Sequence, residues 1–129
     1  MPLFDDSAMP LLRYEFSPAV SDEEIAAAVG TLAAIFERGE RVVVVADISR
    51  LSVQFTVERR KNLELLMRTI QRDADRLMIG AIYVAPGMVA RGVVTALNWA
   101  RGKRPYPVRF VATVDEALAI ANELLERSK

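Results

Sequence analysis

Apolar positions along the chain switch between two periods. Leu12, Tyr14 and Phe16 alternate with Arg13 and Glu15, the two-residue repeat of a strand with one exposed face, read as an edge strand. Ser21-Asp22-Glu23-Glu24 follows as a capping box, in which the Ser hydroxyl accepts from the Glu24 amide and the carboxylate returns to the Ser21 amide. The helix it opens buries Ile25, Val29, Leu32, Ala33 and Phe36, and Gly39 supplies the left-handed residue that stops it. Residues 42–46 are an unbroken, mostly β-branched run, which suits a central strand covered on both faces. A second helix, Val57–Leu77, carries Leu63, Leu66, Met67, Ile70, Ala74 and Leu77 on one stripe, with Arg68 and Arg72 away from it. A third apolar strand, 79–85, ends at Pro86-Gly87, and a helix with Val89, Val93, Ala96, Leu97 and Ala100 follows until Gly102. Pro105 and Pro107 flank Tyr106 and cannot donate to a ladder, so the fourth strand is expected over 108–112. Thr113-Val114-Asp115-Glu116 is a second capping box, and the last helix has the apolar stripe Ala117, Leu118, Ile120, Ala121, Leu124 and Leu125.

The order βαβαβαβα predicts an α/β fold with a four-stranded, largely parallel sheet and right-handed crossovers. Either direction is open to the N-terminal edge strand. No linker or low-complexity tract divides residues 1–129, which read as a single domain. Ligands of such sheets gather at the carboxyl ends of the strands; here those turns are 17–21, 47–56, Pro86-Gly87 and Thr113.

Composition narrows the chemistry. With 52% hydrophobic and 26% charged side chains, the chain belongs with ordinary globular proteins rather than disordered ones. The absence of His and Cys removes disulfides, thiolate metal sites, the commonest metal ligand and a frequent general base. Gly80, Gly87, Gly92 and Gly102 match neither common phosphate-binding motif, and the carboxylate pairs Glu23/Glu24 and Asp73/Asp75 sit on amphipathic helices as surface charge. No catalytic residue, metal site or cofactor is therefore assigned. The apolar runs are too short to span a bilayer and the N-terminus lacks a signal-peptide pattern, so a cytoplasmic location is expected. Net charge is zero but segregated: residues 1–49 carry 3 basic and 9 acidic side chains, 50–109 carry 12 and 4, and 110–129 carry 2 and 4. Without a recognised motif or an overall basic charge, nucleic acid is not expected as a partner.

Asp47-Ile48-Ser49 after a run of valines, leading through a short turn into a helix, resembles the STAS domain of anti-sigma factor antagonists. Aligned without gaps, that family's Asp-Ser-Ser-Gly signature falls on Phe55-Thr56-Val57-Glu58, where Thr56 alone keeps a hydroxyl. Arg91-Gly92-Val93-Val94-Thr95-Ala96-Leu97-Asn98-Trp99, Pro105-Tyr106-Pro107-Val108-Arg109-Phe110 and Asp115-Glu116-Ala117-Leu118 look like the end of bacterial STAS-like domains, a group also likened to CRAL-TRIO lipid carriers. The resemblance implies a regulatory, non-catalytic domain that docks on another protein, of unknown identity. The looser likeness implies, as the alternative, a small carrier of an apolar or lipid-like ligand.

The expected docking face runs from Asp47 to Lys61. Asp47 and Ser49 either hold a ligand at the sheet edge or close a turn through side-chain to backbone bonds. Thr56 is either a phosphorylation switch, a dianion at a helix N-terminus being favourable, or a plain N-cap. Arg59, Arg60 and Lys61 put three cations in a first turn against the helix dipole, which hints at an acidic partner unless Glu58 and Glu64 neutralise them. Trp99 lies off the centre of its helix stripe, as a partner contact or as packing against the fourth strand. Edge strands and an off-face Trp also leave a homodimer open.

Overall fold

The computed structural model describes residues 4–15, 21–47, 49, 57–85 and 105–128, with the backbone alone at 4–8, 22, 57–60, 62, 63, 66 and 67. Its elements are β1 (Phe4–Ala8), β2 (Leu11–Glu15), α1 (Asp22–Glu37), β3 (Val42–Asp47), α2 (Val57–Leu77), β4 (Met78–Val84), β5 (Val108–Val111) and α3 (Val114–Arg127). The strands form one sheet in the order β1-β2-β3-β4-β5. The four strands expected from the sequence are β2 to β5, and all their pairings are parallel. The helix expected between β4 and β5, with Trp99 and the basic turn after it, lies outside the described residues.

Two expectations change at the N-terminus. A fifth strand, β1, pairs antiparallel with β2 across a tight turn at Met9 and Pro10, and β2 is consequently an inner strand rather than an edge. Phe4-Asp5-Asp6-Ser7-Ala8 has no apolar alternation and only Phe4 as a strand former, so its conformation comes from backbone pairing with a neighbour that local sequence does not reveal. At the other side, Pro107 contributes only its carbonyl, which accepts from the Ala81 amide at 3.0 Å, and β5 starts at Val108 as expected.

The caps form where the pattern placed them. Ser21 Oγ accepts from the Glu24 amide at 3.1 Å and Thr113 Oγ1 from the Glu116 amide at 3.2 Å. Each carboxylate meets the cap hydroxyl at 3.3 Å rather than the cap amide, so one orphan amide per box is satisfied instead of two. Gly39 has φ +76° and donates its amide to the Phe36 carbonyl at 2.9 Å, ending the chain's path along α1 in a conformation that costs a Cβ-bearing residue about 1 kcal/mol or more.

Right-handed crossovers from β2 to β3 and from β3 to β4 step the same way across the sheet, which puts α1 and α2 together on one face; the two helices touch. There Leu12, Tyr14, Val42, Val44 and Ala46 meet Leu32, Ile35 and Phe36 of α1 and Ile70, Ala74 and Leu77 of α2. On the opposite face Leu11, Val43, Val45, Ile82, Val84 and Val111 meet Ala117 and Ala121 of α3. Both faces of β3 are thus buried, which is why its valines do not alternate with polar residues. Gly80 lets α3 approach: an added Cβ would lie 2.6 Å from Leu124 Cδ1. At the far side Tyr83 and Phe110 stack with ring centroids 5.6 Å apart.

Candidate functional site

Parallel register lines up the carboxyl ends of the strands. Glu15 pairs with Asp47, Asp47 with Val84 and Val84 with Val111, so the four side chains emerge on the face that α3 covers. Val84 and Val111 are buried beneath α3, while Asp47 is half-buried and Glu15 exposed. This leaves two neighbouring carboxylates at the open end of the row. Asp47 Oδ1 accepts from the Ser49 amide at 3.0 Å and from the Ser49 hydroxyl at 2.6 Å. The carboxylate therefore closes the turn that follows β3, as Asp does when it substitutes for a backbone acceptor. Among the described residues no group of three acidic, His or Cys side chains is placed to hold a metal ion.

The rest of the expected docking face is divided. Thr56 lies outside the described residues, as does Trp99. Arg59 and Arg60 occupy the first turn of α2. Beyond them the helix shows what the sequence reading missed. Lys61, Leu65, Arg68 and Arg72 are all exposed and follow one another at intervals of four, three and four residues, which sets them in a single row along the helix. Leu65 is 59% exposed, the one large hydrophobic residue so exposed among those described. Lys61, Arg68 and Arg72 have no hydrogen-bond or ion-pair partner among the described residues, whereas Arg76, one turn on, pairs with Asp73 at 3.3 Å. The available signal was a second helical period in α2, cationic where the first is apolar.

A buried phenol lies under α1. Tyr14, 6% exposed, donates to the Ala28 carbonyl at 3.3 Å, and burial pushes its pKa well above that of an ordinary tyrosine. It pins β2 to α1 within the core that Ile70 and Ala74 of α2 also enter.

Fold and surface together define an α/β domain with a mostly parallel sheet, a turn-closing Asp at its carboxyl edge and a cationic helix face. No helix among the described residues is long and apolar enough to cross a membrane. Searches against protein-family models, curated proteins and solved structures return no match.

Proposed function

We propose that this chain is a non-catalytic interaction domain that docks an acidic protein partner along the exposed side of α2, in keeping with the regulatory role that the STAS resemblance implies. The row Lys61, Leu65, Arg68 and Arg72 carries this reading. Three cations without partners among the described residues repel one another along one ridge, and an acidic surface relieves that repulsion while covering Leu65. The expected face accordingly extends from the first turn of α2 down the helix, with Asp47 and Ser49 as the turn that leads into it.

Binding of a synthetic helical peptide with glutamates spaced four, three and four apart, followed by fluorescence anisotropy, tests the proposal. Arg68→Glu with Arg72→Glu replaces two attractions by two repulsions. At about 0.2–1 kcal/mol for each of these four changes, affinity should fall by roughly fourfold to several hundredfold, and added salt should weaken wild-type binding. Arg109→Glu, exposed on β5, should leave it unchanged. Equal affinity of the double variant and the wild type refutes the reading.

A further inference from the structure

The chain that presents a cationic ridge without partners among the described residues also presents an acidic one, whose Glu126 makes a contact of its own. On α3 the exposed residues include Asp115, Glu116, Ala119, Asn122, Glu123 and Glu126. Arg127 is the basic residue in this helix and bonds Glu123 at 2.6 Å; with side chains 73% and 58% exposed, that pair offsets little of the acidic field.

We propose that copies of this chain associate head to tail, the cationic row on α2 of one copy seated against the acidic outer face of α3 on the next. The inference rests on the docking reading above and names the partner as a second copy. Three observations carry it. The ridges match in length and rhythm: Lys61, Leu65, Arg68 and Arg72 repeat at four, three and four residues, as do Asp115, Ala119, Asn122 and Glu126, and each row spans about 16 Å of helix. A parallel alignment sets Lys61 by Asp115 and Arg72 by Glu126, and lays the exposed Leu65 over Ala119, whose small side chain admits it. Finally, α2 and α3 lie on opposite faces of the sheet. One copy cannot join its own two rows, yet it can use both at once, so the contact is heterologous and propagates instead of closing on a two-fold axis.

Sedimentation velocity on the full chain tests this. At low salt, about 20 mM, where charges are screened least, the weight-average mass should climb above the protomer's 14.3 kDa as concentration rises, and return to it in about 0.5 M salt. Arg68→Glu/Arg72→Glu and Glu123→Lys/Glu126→Lys should each be monomeric, with circular dichroism verifying the helices; Glu and Lys are both good helix formers. Mixed in equal amounts, the two variants should associate again and grow with concentration as the wild type does, because the untouched rows pair with each other and the two reversed rows are once more opposite in charge. A monomeric wild type at low salt, self-association that survives either pair of reversals, or a mixture that stays monomeric overturns the inference. In the first case, continued binding of the acidic peptide by the wild type leaves the docking reading standing; loss of peptide binding brings down both.

Discussion

Replacing Tyr14 by Phe should destabilise the protein at neutral pH and stabilise it in alkali. The phenol donates to the Ala28 carbonyl at 3.3 Å, long for an O–H donor, so its loss at pH 7 should cost about 0.5–1 kcal/mol. Burial raises the folded-state pKa, whereas in the unfolded chain the phenol ionises near its ordinary value of about 10. Below that pH both states hold the proton and the term is independent of pH. Above it the unfolded chain releases a proton that the folded chain keeps, so wild-type stability falls with a slope of about 1.4 kcal/mol per pH unit. By about pH 11 the wild type should have lost about 1.4 kcal/mol relative to the Phe variant, which reverses their order. Urea unfolding of both proteins at pH 7 and pH 11 measures this, since every other titrating group is common to the pair and cancels in the difference. A difference of the same size and sign at both pH values would refute the argument from burial.

Further expectations concern helix ends and close approaches. Gly30 is exposed within α1, with nothing within 4 Å of an added Cβ, so Gly30→Ala should stabilise by about 0.8–1 kcal/mol in denaturant titration. Gly39→Ala, at φ +76°, should have the opposite sign and a similar size. Gly80→Ala drives its new methyl to 2.6 Å from Leu124 Cδ1 and should cost about 1 kcal/mol; in a Leu124→Ala background that penalty should disappear, which a double-mutant cycle reads directly. Thr113→Ala removes the acceptor of the Glu116 amide and should lower stability by about 1 kcal/mol, with Thr113→Ser retaining most of it.

What could be read in advance was what is local. The valines of β3, the hydroxyls of Ser21 and Thr113 and the left-handed Gly39 each declare their conformation within a few residues, and all stand where the pattern set them. Pairing is not local: β1 has no signal of its own, and the position of β2 inside the sheet depends on it. The carboxyl-edge turn was legible as a turn or a ligand site, and the bonds from Ser49 to Asp47 Oδ1 supply the turn. Arg68 and Arg72 were visible as residues off the apolar stripe. Their alignment with Lys61 and Leu65 acquires meaning only once the sheet shows which side of α2 faces outward.

Resistance to cross-β pairing follows from how the sheet terminates. The last strand has four residues, opens behind Pro107 and carries an exposed arginine at its second position. The first strand carries Asp5 and Asp6 in succession, two like charges that an added strand would have to accommodate. Neither border invites an incoming segment to zip on through its amides, because charge, brevity and a missing donor all discourage cross-β growth. The borders of the sheet themselves therefore offer a poor template for amyloid, whichever way copies meet through their helices.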